Sequence, residues 1–327
     1  MAQTLAPTSP LRRQWIRRNG WVFGVYLLLV VMLLYERAIH ATAFSAFDVQ
    51  SLVDASVPLA MAAMAQASVV LAGGIDLAVG PLMSLSNVIA ANLMVHASFG
   101  GALLISLALL IGGALVGATT GLVITVTRVP DIIVTLATSA VWGGVALQVM
   151  PTPSGGAPTE FVNLLTGDVR SSGFPVGVII IALVYLVVWL PIRRTRPGLA
   201  LYAMGSNRTA AFLSGVNVAR TRILAYSLSG VFAVIGGLAL TAQTGNGSAS
   251  SGAAFTLNSV AAVVIGGVAL TGGRGGMLGP IAAAAILTLL STILGFLNVD
   301  PNYSQVMQGV VVVLAVMIGG FVLRRRA

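Results

Sequence analysis

The sequence has no cysteine and no lysine, and only 8% of its 327 residues are charged. Each shortage excludes something. Without cysteine there is no disulfide, no thiolate metal site and no cysteine nucleophile. Without lysine a phosphate-binding loop of the GxxxxGK[ST] type cannot be built, so any ATP must be hydrolysed by another chain. The charged share lies far below the roughly one quarter usual in soluble domains. Histidine is limited to His40 and His96, both expected near the outer interface. That leaves no metal-ligand cluster and little basis for a serine–histidine hydrolase at mid-membrane.

What is present is apolar. Hydrophobic residues make up 57% of the chain and glycine contributes 38 positions, the profile of an integral membrane protein. A helical crossing takes about 20 mostly apolar residues. Candidate spans lie near 21–40, 54–72, 75–96, 101–126, 131–150, 174–192, 222–243, 257–271, 276–297 and 304–323. The expected fold is therefore an all-α polytopic membrane protein with about ten transmembrane helices, or eight if a short segment re-enters instead of crossing.

All 17 basic residues are arginine, and their placement sets an orientation, because loops on the cytoplasmic side carry the positive excess. With the N-terminus inside, the inner segments hold Arg12, Arg13, Arg17, Arg18, Arg128, Arg193, Arg194, Arg196, Arg208, Arg220, Arg222, Arg274 and Arg324 to Arg326. Only Arg37 and Arg170 fall outside. Both termini are thus expected in the cytoplasm, with a tail at 1–20, one transmembrane domain at 21–323 and a short tail at 324–327. The net charge of +9 reads as topology-setting arginine at the edges of apolar runs, not as a nucleic-acid face. The run after Arg18 reads as a retained first span, since no small-residue cleavage site clearly follows it.

One stretch, LAGGIDLAVGP at 71–81, has an echo in LTGGRGGMLGP at 270–280. Both share L-x-G-G, five intervening residues and G-P, and both precede a span running outward, as in a parallel duplication. Gly73, Gly74, Gly272 and Gly273 are the candidate hinge or gate positions. Asp76 is expected at N1 to N3 of the helix after Gly74, where free amides and the helix dipole favour a carboxylate; the functional alternatives are a substrate acceptor or a proton-coupling site. Arg274 reads as a positive-inside residue, with pairing to Asp76 as the alternative. Polar side chains within spans, among them Gln66, Asn87, Thr135 and Asn258, either line a pathway for a hydroxyl-rich ligand or bond across packed helices. Gly112, Gly113, Gly117 and Gly121 form a small-residue stripe whose default reading is close helix packing.

The inner loop near 193–222 is the longest on its side, basic, and carries a short amphipathic pattern through Asn207, Ala210, Ala211, Phe212, Leu213 and Val216. That is the pattern of a docking element.

Several stretches taken in order resemble a known family: AGGIDLAVGP at 72–81, RVPDIIVTLATSAVWGG at 128–144, AMGSNRTAAFLSGVNVARTR at 203–222 and SVAAVVIGGVALTGGRGGMLGP at 259–280. The chain resembles the membrane permease subunits of bacterial ABC importers for ribose, xylose, arabinose, galactose and related small carbohydrates. The resemblance implies a bacterial inner-membrane core of two permeases, same or homologous, a cytoplasmic ATPase that binds ATP and Mg²⁺, and a soluble sugar-binding protein. It places the coupling helix in the inner loop and so marks Gly205, Ser206, Asn207, Ala210, Ala211, Gly215 and Val216 as docking residues. Asp131 stands where the family often has an aromatic, and Trp142-Gly143-Gly144 where it often has Arg-Gly; both departures bear on substrate identity. The rival reading is a proton-driven secondary transporter with Asp76 or Asp131 as the coupling carboxylate.

Overall fold

A computed structural model describes residues 11–39, 44–167 and 174–300, with isolated residues from 303 to 317. The helices are α1 Leu11–Ile39, α2 Ala46–Leu71, α3 Val79–Met94, α4 Phe99–Thr127, α5 Asp131–Val149, α6 Thr159–Thr166, α7 Val176–Leu183, α8 Leu190–Arg194, α9 Arg196–Ser206, α10 Arg208–Leu213, α11 Val218–Thr244, α12 Ala253–Ile265 and α13 Leu278–Phe296. A π-helical segment, Val184–Trp189, joins α7 to α8, so Val176–Arg194 forms one continuous span. An isolated antiparallel bridge pairs Ser154 with Gly247.

Among the described residues seven helices are long and apolar enough to cross a bilayer: Gly20–Ile39 within α1, then α2, α4, α5, Val176–Arg194, α11 and α13. Two expected crossings are shorter. α3 has 16 residues because Ile75 to Ala78 are not helical, and α12 has 13 because the chain leaves the helix at Gly266. Among the described residues, seven full spans and two short apolar helices thus stand for nine of the ten expected segments. The tenth predicted span, 304–323, and both termini lie largely or wholly outside the described residues.

Burial separates a core from a shell. In α2, 83% of the most apolar window is enclosed and in α11 72%, against 11% in α4 and 17% in α5. α2 and α11 therefore form the centre. α4, α5, α1 and Val176–Arg194 turn leucine, isoleucine and valine outward, as lipid-facing or partner-facing helices must.

The glycine stripe of α4 explains how it reaches α11. A Cβ on Gly113 would strike the Gly230 carbonyl, one on Gly117 the Tyr226 carbonyl and one on Gly121 the Ile223 backbone, so the two backbones touch directly. Gly112 departs from the predicted stripe, since a Cβ there meets nothing. Gly117→Val is accordingly expected to overpack the contact by about 1–3 kcal/mol. A lowered unfolding temperature in detergent checks it, with Gly112→Val as the control that leaves the temperature unchanged.

Candidate functional site

The glycine pair that ends α2 is a helix stop. Gly73 sits at φ +86°, its N–H bonds the Val70 carbonyl and the Gly74 N–H bonds the Val69 carbonyl, the pattern of a Schellman cap with glycine at the left-handed position. α10 ends the same way, with Gly215 at φ +84° and the Val216 N–H on the Ala211 carbonyl. α12 ends the same way at Gly267, five residues before the pair aligned by sequence. Gly272 and Gly273 thus form a separate turn beyond that stop, with φ of +88° and +70°.

These turns meet. The Gly273 N–H donates to the Leu71 carbonyl at 3.0 Å, and a Cβ on Gly272 would lie 2.9 Å from the Gly73 Cα. The third member of the junction is Gly205, the penultimate residue of α9: a Cβ there would collide with the Leu71 carbonyl and the Gly273 nitrogen. Two glycine turns and the end of the inner-loop helix are therefore stacked backbone on backbone. The second halves of the two sequence echoes also correspond, because Gly80-Pro81 and Gly279-Pro280 occupy the second and third positions of α3 and α13. Each of those glycines abuts a glycine carbonyl at one end of α12, Gly252 for Gly80 and Gly266 for Gly279.

Above the junction the chain runs without helix from Ile75 to Ala78, buried or half-buried, so its polar groups need internal partners. Thr135 Oγ1 donates to the Ile75 carbonyl at 3.3 Å, and Tyr226 Oη reaches the same carbonyl at 3.5 Å. Asp76 accepts from Ser229 Oγ at 2.7 Å and from the Ala78 N–H at 2.9 Å. Its predicted place at N1 to N3 is corrected: α3 begins at Val79, so Asp76 stands outside the helix and tethers the N-cap residue Ala78 to α11. Arg274 is exposed while Asp76 is buried, and the two do not pair. Asp131 accepts from Tyr226 Oη at 3.0 Å and lies 3.9 Å from Arg222 Nη2. Both carboxylates proposed for proton coupling thus have protein partners.

An open cleft of about 510 Å³ lies at this arginine-rich end, lined by Gly73, Gly74, Asp131, Gly205, Asn207 and Arg222 among others. Beyond it the α9–α10 hairpin projects. Phe212 is 67% exposed and Leu213 79%, while Ala211 is buried and anchors the tip. Asn207 caps α10 by accepting from the Ala210 N–H at 3.0 Å, and Asn217 caps α11 by accepting from the Arg220 N–H at 3.0 Å. Removing an N-cap costs about 1 kcal/mol, so Asn207→Ala is expected to fray this six-residue helix while Asn207→Asp keeps it. Faster hydrogen exchange at the Ala210 amide in the alanine variant alone would register the difference.

Residues 49–316 match the family described as branched-chain amino acid transport system / permease component. The chain belongs to this permease family. It is 32% identical to the ribose import permease protein of Escherichia coli K12 over 319 residues, 97% of this chain and 98% of that one. It is 31% identical to the ribose import permease protein of Bacillus subtilis 168 over 299 residues (90% and 91%), and 32% identical to the fructose import permease protein of Rhizobium meliloti over 285 residues (84% and 78%). No solved structure matches. The permease is a multi-pass inner-membrane subunit of an ABC importer, and the proton-driven alternative is not favoured.

The permease gathers some of the residues singled out from sequence and disperses others. Gly73, Gly74, Gly272, Gly273, Gly205, Ser206 and Asn207 converge, with Asp76 and Thr135 just above. Ala210, Ala211, Gly215 and Val216 shape the hairpin tip. Asn87 is elsewhere: fully buried in α3, it donates to Thr241 Oγ1 and the Asn246 carbonyl and accepts from the Ser248 N–H, clamping the extended stretch that leads into α12. Asn258 is half-buried on α12, away from the glycine junction's lining. Tyr226, Ser229 and Asn217 went unread, although Asn217 repeats the Gly-x-Asn spacing of Gly205 to Asn207 and could have been found from it.

Proposed function

We propose that this permease forms the translocation path for a small carbohydrate of the ribose, fructose or allose kind, delivered from outside by a soluble binding protein. The names of its relatives support that substrate class. In this reading ATP and Mg²⁺ are held by a cytoplasmic partner subunit, a second permease copy or homologue completes the core, and this chain supplies the path and the lever. The domain plan is a cytoplasmic tail at 1–20, a permease domain at 21–323 with its coupling loop at about 193–222, and a tail at 324–327.

The observation that carries the reading is the backbone stack of Gly205 on both glycine turns. A load on the exposed tip at Phe212 and Leu213 reaches α9, and through Gly205 it reaches the ends of α2 and of the α12–α13 connection. A conformational cycle requires contacts that differ between states, and this junction is where the ATPase's movement enters the membrane helices.

The cysteine-free background gives a direct test. Phe212→Cys is expected to cross-link to the ATPase subunit of the assembled transporter, whereas Phe23→Cys on the outward face of α1 is not. Cross-linking of neither, in a complex that co-purifies, would refute the docking role of the hairpin.

A further inference from the structure

We propose that a second pocket, at the opposite end of α2 from the glycine junction, binds a neutral, hydroxyl-rich ligand directly on the permease. This deepens the carbohydrate-import reading and rests on it. The pocket measures about 320 Å³ and is lined by Phe47, Gln50, Ser51, Asp54, Thr166 and Gln243, drawn from α2, α6 and α11. Ligand sites run from about 300 to 1,000 Å³, so it suits one small molecule. Asp54 precedes Leu71 by seventeen residues of continuous helix, about 25 Å along the axis, which places the pocket near the face where a delivered ligand would arrive.

The chemistry of the lining selects the ligand. Asp54 lines the pocket, and its Oδ1 is enclosed, 3.4 Å from where a Cβ on Gly177 of α7 would stand, with no hydrogen-bond partner among the described residues, an unfavourable state that a turn of the carboxylate toward a ligand hydroxyl would relieve. Gln50 Nε2 is committed to the Thr166 carbonyl at 2.6 Å, which ties α2 to α6 and holds the wall. Ser51 and Gln243 remain exposed in the pocket, each able to donate and to accept. Phe47, 77% exposed, offers an apolar ring face at the rim. Ligand hydroxyls also donate and accept, and the C–H face of a sugar ring packs on an aromatic. An ammonium ligand would satisfy Asp54 but leave the serine and amide donors unmatched.

The test uses the full chain in nanodiscs without binding protein or ATPase, probed by saturation-transfer NMR with D-ribose, D-fructose and D-allose. Transfer to at least one sugar is expected, weakened about tenfold or more by Asp54→Ala and by Gln243→Ala. Asp54→Asn, which still accepts, is expected within about threefold of the unaltered chain. No transfer to any of the three sugars, or an unchanged affinity in Asp54→Ala, overturns the site. Loss in Asp54→Asn equal to that in Asp54→Ala also overturns it, because it assigns a charged ligand or a proton to Asp54. Gln243 is exposed, so its variant reports on binding even if Asp54→Ala fails to fold. ATP-dependent sugar uptake by the assembled transporter separates the two claims: uptake without saturation transfer sinks the pocket and leaves the import reading standing, while absence of both sinks the import reading.

Discussion

Gly205→Val is expected to cut ATP-driven uptake by roughly tenfold to a hundredfold while the permease still inserts and still binds its ATPase. The reason lies in what the side chain would meet. The three atoms nearest a Cβ at 205 all belong to backbone, the Leu71 carbonyl and the Gly273 nitrogen, and those two groups are hydrogen-bonded to each other at 3.0 Å. A flexible neighbour could rotate away; these cannot. Overpacking of this kind costs about 1–3 kcal/mol or more, and here it acts as a wedge between two turns and the lever that should move them. Gly205→Ala should show the same effect in smaller degree. Gly215→Ala is a useful contrast, because a Cβ there meets nothing within 4 Å and only the left-handed φ of +84° is strained, at about 1–2 kcal/mol. Uptake in proteoliposomes, read beside ATPase co-purification, separates loss of coupling from loss of assembly. Full uptake by Gly205→Val would mean that the stack is not transmitting anything.

The second large effect concerns Asp76. Asp76→Leu leaves the Ser229 hydroxyl and the Ala78 N–H buried without an acceptor, at about 1–3 kcal/mol each, and it unties a non-helical stretch that has no water to fall back on. A marked fall in unfolding temperature and near-complete loss of uptake are expected. Asp76→Asn keeps an amide oxygen for the Ala78 N–H and an NH₂ that Ser229 can accept from, so uptake should stay within about threefold of the unaltered chain. Normal folding with complete loss of transport in both variants would instead give the carboxylate a chemical role.

The contrast between these two positions shows what the sequence made legible. Hydropathy located the membrane helices well, because enclosure in lipid or protein needs apolar residues either way. It overran α3, since Ile75, Leu77 and Ala78 are apolar without being helical, and the signal that interrupts them is one glycine with a positive φ. The likeness of 71–81 to 270–280 pointed to Gly73 and Gly272 as related turns, and these do touch. What could not be read was the third participant: Gly205 sits more than 60 residues from either turn, and only tertiary packing brings it between them. Asp54 and Gln243 escaped notice for a similar reason, as isolated polar residues in apolar helices whose shared pocket exists only once α2 and α11 pack together. Asn87 was noticed as polar within a span, yet three hydrogen bonds occupy it, one to Thr241 of α11 and two that hold the Asn246 to Ser248 stretch.

In the proposed function this permease moves solute on energy delivered through the α9–α10 hairpin by a partner's ATP hydrolysis. Reconstitution into proteoliposomes tests it most directly, with labelled D-ribose, D-fructose or D-allose as solute. Accumulation is expected only when the ATPase subunit, the binding protein and ATP are all present. Accumulation by the permease alone on an imposed proton gradient would contradict it.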